Sequence, residues 1–475
     1  MTPDEFRAAG HALVDWVADL RAGLEDRPVK APAPPGAVAA LMPAAPPDAP
    51  ESFEALLAEL DRVVVPGMTH LQHPRNFAWF PANHSLASVL GDLASGGLGG
   101  LGISWEACPA LTEVEQVVCD WMRRLVGLSD AWSGTIADTA STSCLSALAC
   151  ARERATRYAM ARGGLAASGA PLRIYTTEHA HSSVRKAAML AGFGAEHLVT
   201  VDVDERYAMR PDALAGAIEA DRAAGLVPCA VVASVGSTGV TALDPVAAVV
   251  EVAQRDGVWV HVDAALAGSA MLLPECRWMW AGVEGADSLV WNPHKWLGTA
   301  LDCSLYYVRD VTHLVRVMST NPSYLRSEVD GAVVQYRDWG VPLGRRFRAL
   351  KLWFQLHLDG VEPIRERLRR DLDNARWLAG EVDAAEHWKV LAPVPLQTVC
   401  VRHEPPSLAG GAAALDAHTL RWARALNDSG FAFVTPAQLD GAWMVRVSIG
   451  VESTERRHVA ELWAEMRRLA EVADA

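Results

Sequence analysis

Basic charge is in short supply. Lysine and arginine together number 43 against 57 aspartates and glutamates, a net charge of -14. Nucleic acid needs the opposite balance to neutralise its phosphates, so it is not an expected partner. The eight cysteines are scattered with no C-x-x-C pair, which suggests neither a zinc site nor a disulfide framework and fits a reducing cytoplasm. No long apolar run is clean enough for a membrane span. The most apolar window, "LASVLGDLASGGLGGLGISW", is broken by Asp92 and six glycines. The N-terminal "MTPDEFRAAGHALVDWVADL" mixes acids into its apolar residues, unlike a signal peptide. A Walker G-x-x-x-x-G-K-[ST] loop and internal repeats are also missing.

What is present reads as a globular enzyme. The 475 residues are 51% apolar and 21% charged, enough for two or three domains with a large core. Seventeen tryptophans point to aromatic surfaces around a ligand or an interface. Residues 4–23 carry apolar positions at helical spacing (Phe6, Ala9, Leu13, Trp16, Val17, Leu20). A proline-rich connector follows, then a second helix in "SFEALLAELDRVVVPG" with a serine cap. Two helices on a proline-rich arm cannot make a core alone, so this segment, residues 1–80, must pack on the main body or on a second subunit, and it is expected to serve in dimerisation.

Over residues 81–360 short apolar strands ("LRIYTTE", "HLVTVDV", "PCAVVASVG", "VWVHVDAA", "DSLVWNP", "CSLYYVRD") alternate with helical stretches. That pattern predicts a mainly parallel sheet covered on both faces. Residues 361–475 change register: a long helix, short strands ("WKVLAPV", "TVCVRHE", "WMVRVSIG") and a closing helix predict a small α+β domain.

Four segments fall where ligands sit in such sheets, beyond the carboxyl ends of the strands. "SLVWNPHKWLG" sets Lys295 among apolar neighbours, where an ammonium either snorkels outward or is kept ready for a carbonyl as a Schiff base. "VWVHVDAALAG" ends a strand on Asp263, costly to bury without a partner. "YTTEHAHSS" supplies His179 and His181. With no third ligand at a matching spacing, no metal is expected. "TIADTASTSCLSALACARERA" opens a helix on Thr139, Ser141, Thr142 and Ser143, either ordinary capping or an anion site built from free amides and the helix dipole. A lysine for an imine, a carboxylate, an anion-binding helix start and a planar histidine together describe a site for pyridoxal phosphate, with the aspartate keeping the pyridine nitrogen protonated so that the ring is an electron sink.

On "NPHKW", "HVDAALAGSA", "HAHSSV", "HPRNFAWFPAN", "GISWEACPALTEVE" and "PLGRRFRALKLW", the chain resembles the group II pyridoxal-phosphate-dependent decarboxylases of the aromatic-L-amino-acid decarboxylase family, almost end to end. The resemblance implies fold type I, a seven-stranded, mainly parallel sheet with helices on both faces, an N-terminal helical arm and a small C-terminal α+β domain. It further implies a cytoplasmic homodimer with shared active sites. Carried onto matching positions, Lys295 would hold the cofactor as a Schiff base. Asp263 would pair with the pyridinium, Ala265 would pack under the ring and His181 would stack above it. Thr139, Ala140, Ser141, Asn292 and His294 would surround the phosphate, with Ser234 nearby. The family's mobile loop corresponds to about residues 316–332, with Tyr324 on its catalytic tyrosine.

Departures bear on the substrate. The family often has Trp at Leu71, Thr at Ala82, Tyr at Trp79 and Tyr at Leu266, and catechol-handling members have Phe at Ile103. "DTASTS" replaces the usual "GSASEA". Losing hydroxyls disfavours phenols and catechols. An apolar set of Leu71, Trp79, Phe80, Pro81, Ala82, Leu101 and Ile103 suits an indole or phenyl ring, and Gly344 matches indole-handling plant relatives. The expected reaction is decarboxylation of tryptophan or phenylalanine to the arylalkylamine. The alternatives are an O2-dependent aromatic aldehyde synthase, whose members usually replace the tyrosine or the stacking histidine, and a non-catalytic paralogue that only binds the cofactor.

Overall fold

The buried, β-branched runs pair into a seven-stranded sheet: β1 (Ser133–Ala137), β2 (Leu172–Thr176), β3 (Leu198–Thr200), β4 (Val227–Ser234), β5 (Trp259–Asp263), β6 (Ser288–Trp291) and β7 (Ser304–Val308). Their order is β1-β7-β6-β5-β4-β2-β3. The pairs from β3 through β6 are parallel, and β7 runs antiparallel to both β6 and β1. Every residue of β5, β6 and β7 is buried, which is why these strands read as continuous apolar runs rather than alternating ones. Helices Ala140–Ala155, Ser182–Leu190, Pro211–Ala223 and Val246–Arg255 alternate with the parallel strands.

The computed structural model describes residues 1–320 and 329–474. They fall into two units, one of Ala82–Leu372 with Ala392–Leu396, the other of Met1–Pro81, Asp373–Leu391 and Gln397–Ala475. The second unit has its own antiparallel sheet of β8 (Trp388–Val390), β9 (Thr398–His403), β10 (Thr435–Leu439) and β11 (Ala442–Ser448), ordered β10-β11-β9-β8.

Two strands escape the sequence reading. β1 is five residues long with only Thr135 and Ile136 β-branched. β10 contains Pro436, which is tolerated because the strand lies at the sheet edge. A signal for β10 was available: Asp440 and Gly441, with φ of +51° and +78°, make the two-residue turn into β11, the conformation that favours Asp-Gly between hairpin strands.

The first helix runs Pro3–Ala22, capped by Thr2, whose hydroxyl accepts from the Glu5 N–H while the Glu5 carboxylate accepts from the Thr2 N–H at 2.6 Å. None of its residues is buried, and Phe6, Leu13 and Val14 are exposed. The second helix keeps its Ser52 cap but covers only Phe53–Glu59 before a wider π turn, Leu60–Val64, and a tight 3-10 turn, Val65–Gly67, take over. Among the described residues no helix is long and apolar enough to cross a membrane, and no disulfide joins the eight cysteines.

Candidate active site

Because β1 is antiparallel to β7 and β7 to β6, β1 runs with β6, β5, β4 and β2. The carboxyl ends of these five strands therefore share one edge. Thr139 and the start of helix Ala140–Ala155 follow β1, and His181 follows β2. Ser234 ends β4, Asp263 ends β5, and Asn292, His294 and Lys295 follow β6. The register sets Ser234 opposite Asp263 and Asp263 opposite Val290. All the residues expected around the cofactor thus emerge at one sheet edge.

Each has a definite local setting. Asp263 is buried, and its Oδ1 accepts the Ala265 N–H at 3.0 Å. The Ala265 carbonyl in turn accepts the Asn292 N–H at 2.9 Å, joining the ends of β5 and β6. Gly268 allows this crossing to be tight, since a Cβ there would lie 2.2 Å from the Trp291 Cβ. Asn292 Oδ1 accepts the Ser304 hydroxyl at 2.6 Å, leaving the amide nitrogen as its donor end.

His294 Nδ1 accepts the Cys303 N–H at 2.9 Å. Burial first, then the Lys295 ammonium, bring its pKa down to about 4. The ring is neutral at pH 7 with its proton on Nε2, a donor suited to an anion. His181 caps helix Ser182–Leu190 by accepting the Ser183 N–H at 3.2 Å. Although the residue reaches solvent, burial holds its pKa below the usual histidine range; Asp263 opposes that shift and Lys295 adds to it. Lys295 is half-buried, with Pro293, His294, Trp296 and Leu297 buried around it.

At the helix start Thr139 is the N-cap but makes no side-chain cap bond, so the amides of the first turn are presented to an anion by a helix of 16 residues. Asp138, which the sequence reading passed over, takes the Thr139 N–H at 2.7 Å. The donor set, the carboxylate at Asp263 and the lysine together fit pyridoxal phosphate. Among the described residues no group of three or more His, Cys, Asp or Glu could hold a metal ion.

The proposed substrate positions divide between the units. In the larger unit Ala82 and Ile103 are half-buried, and Leu101 and Gly344 are exposed. Leu101 bridges to Arg346, and the Gly102 N–H donates to the Arg345 carbonyl at 2.9 Å, laying residues 101–103 along 344–346. A cavity of about 360 Å3 is lined there by Asp138, Thr142, Tyr336, Trp339, Gly344 and Arg345 among others. Its anchor was also missed: buried Glu115 takes two bonds from Arg345, at 2.8 and 2.6 Å, and one from the Ile136 N–H at 3.0 Å. These partners lie 230 and 21 residues apart along the chain, and no local pattern links them.

In the other unit Leu71 and Phe80 are half-buried and Pro81 is buried. Trp79 is exposed, and its φ of +54° is a strained conformation for a bulky side chain. Its N–H donates to Thr435 Oγ1 at 2.6 Å and its ring meets Phe433 edge-on at 5.1 Å. Tyr324 lies outside the described residues.

The pyridoxal-dependent decarboxylase conserved domain matches residues 35–404. The chain is 37% identical over 473 residues to the phenylacetaldehyde synthase of Arabidopsis thaliana, covering 98% of this chain and 95% of that one. It is 36% identical over 483 residues to the aromatic-L-amino-acid decarboxylase of Bos taurus, covering 99% and 97%. The crystal structure of Oryza sativa TDC with PLP and tryptamine superposes with a TM-score of 0.96 at 35% identity, covering 99% of both chains.

Proposed function

We propose a substrate and a product for a chain that belongs to the pyridoxal-dependent decarboxylase family, and within it to the aromatic-amino-acid decarboxylases. Tryptophan or phenylalanine loses its carboxylate as CO2 and leaves as the arylalkylamine. What supports this is the convergence of Lys295, Asp263 and His181 at one sheet edge, together with a set of proposed substrate contacts poor in hydroxyls.

Bound pyridoxal phosphate supplies an electron sink for the pair released when the bond from Cα to the carboxylate breaks. Lys295 would hold the cofactor through its amine, and its half-buried setting among apolar neighbours would keep that amine in place. Asp263 would keep a proton on the pyridine nitrogen, and His181, neutral through burial, would cover the ring. The Thr139 hydroxyl, which makes no cap bond, and the first-turn amides at Ala140 and Ser141, with Asn292 and His294 Nε2–H, would hold the phosphate, and Ser234 and Ala265 would line the cofactor. Apolar contacts such as Leu101 and Ile103 strip water from the substrate carboxylate, which favours loss of neutral CO2. Gly344 leaves room for a large ring. Tyr324 then gives its phenolic proton to Cα.

A second reading, an aromatic aldehyde synthase, is favoured by the similarity to a phenylacetaldehyde synthase. In that reaction O2 takes the electron pair and yields peroxide, and hydrolysis releases the aldehyde and ammonia. The presence of both Tyr324 and His181 favours the amine. The two outcomes diverge at the proton donor, whose removal costs roughly 10²–10⁴-fold. Tyr324→Phe is therefore expected to shift product from amine toward arylacetaldehyde, ammonia and peroxide. Unchanged amine output with no oxygen uptake would remove Tyr324 from that role.

A cytoplasmic homodimer with shared active sites completes the proposal. It is supported by the unburied Pro3–Ala22 helix and by exposed Leu86, Leu90, Leu93 and Leu98 on helix Leu86–Leu98, apolar positions that a second copy would cover. Sedimentation at assay concentration should give twice the chain mass, and a fully active monomer would refute it.

A further inference from the structure

The turn that carries Lys295 is held from outside. Pro293–Leu297 is broken at Lys295, whose φ of -98° and ψ of -112° are not helical. Inside the turn, the Lys295 N–H reaches the Asn292 carbonyl at 3.0 Å, and the Gly298 and Thr299 N–H groups both reach Pro293 at 3.1 Å. The outgoing carbonyls are taken by the chain some 60–70 residues further on. Arg367 Nη2 donates to the Trp296 carbonyl at 3.0 Å and to the Leu297 carbonyl at 2.7 Å. Gln355 Nε2 donates to Leu297 as well, at 3.0 Å, while its Oε1 accepts the Thr299 hydroxyl at 2.6 Å. Gly298, at φ +101°, makes room for this grip: a Cβ there would lie 3.3 Å from Gln355 Nε2 and 3.5 Å from Arg367 Nη2.

The side chain next to Lys295 is gripped too. Trp296 is fully buried, and its indole N–H donates to Asp371 Oδ2 at 2.9 Å. Asp371 is itself fully buried, on helix Val361–Ala384, with Arg367 Nη1 at 3.8 Å and Arg370 Nε at 3.6 Å. A buried carboxylate costs several kcal/mol unless its partners offset it, and a leucine in such a place is often as stable or more so. The charge at 371 is therefore better explained by what it holds than by stability.

We propose that Asp371, with Arg367, is the positioning residue for Lys295, fixing Trp296 so that the lysine amine returns to one place after each turnover. The proposal rests on the reading of Lys295 as the Schiff-base lysine. A misplacement of about 1 Å at a reacting group can cost 10²-fold, so the effect should appear in the chemical steps rather than in substrate affinity.

The test uses the full-length holoenzyme and three variants: Trp296→Phe, which removes the indole N–H and leaves the buried charge; Asp371→Leu; and Asp371→Asn, which keeps an acceptor oxygen. Trp296→Phe and Asp371→Leu should each lower kcat by about 10–10²-fold with KM little changed. Each should slow, by a similar factor, growth of the imine absorbance when pyridoxal phosphate is added to apoenzyme. Asp371→Asn should recover most of the loss, and the double variant of Trp296→Phe with Asp371→Leu should be no worse than the poorer single. Lowered melting temperatures with kcat and imine formation unchanged would overturn the proposal, as would additive losses in the double variant. Borohydride labelling of wild type separates the two levels. Label on a lysine other than Lys295 overturns the underlying reading, whereas label on Lys295 with unaffected variants overturns the role of Asp371 alone.

Discussion

Replacing Lys295 with alanine is expected to reduce turnover by about 10⁵-fold or more, the scale at which a tethered amine exceeds a free one in solution. Lys295 follows β6 between His294 and Trp296, both buried. It is the half-buried lysine whose charge acts on both His181 and His294. In the proposed site the phosphate donors and Asp263 would remain to the cofactor, so weak binding should persist while the covalent link is lost. Absorbance of the protonated imine should disappear, and borohydride should no longer fix cofactor to protein. A variant that kept even about a hundredth of wild-type activity would be incompatible with a tether of this kind.

The second large effect is expected at Asp263. Asp263→Asn keeps the shape and removes the charge at the end of β5. Losing one partner of a buried, charged contact costs about 2–5 kcal/mol, or roughly 30- to 5,000-fold in rate. The structure adds an independent readout. Asp263 is the group that favours protonation of His181 against burial and Lys295. Removing its charge should therefore lower the His181 pKa further, so that the imidazole takes up its proton only at more acidic pH. Titration of the His181 ring resonances checks the sign. An unchanged His181 with near wild-type activity would show that Asp263 serves only to cap the turn at Ala265.

Much of this was legible because the relevant patterns are local. Six strands of the large sheet stood out as short apolar runs, and the residues that follow them are where ligands collect in such sheets. Asp263, Lys295 and the helix start at Thr139 could thus be picked out by position and chemistry. What stayed hidden depends on contacts remote in sequence. The bond from Trp296 to Asp371 spans 75 residues, and the pair of Glu115 and Arg345 spans 230. β1 lacked a strong β-branched run, and β10 was obscured by Pro436 although Asp440 and Gly441 announced its turn. The left-handed backbone of Trp79 could not be foreseen either, because nothing in the residue type calls for it.

The most direct test of the central claim is the product balance of the pyridoxal-phosphate-loaded protein with L-tryptophan, L-phenylalanine, L-tyrosine and dihydroxyphenylalanine in air. CO2, amine, aldehyde, ammonia and peroxide are quantified together. One amine per CO2, fastest with tryptophan or phenylalanine and without peroxide, is the predicted result. Arylacetaldehyde with stoichiometric ammonia and peroxide, or no CO2 from any of the four, would contradict it.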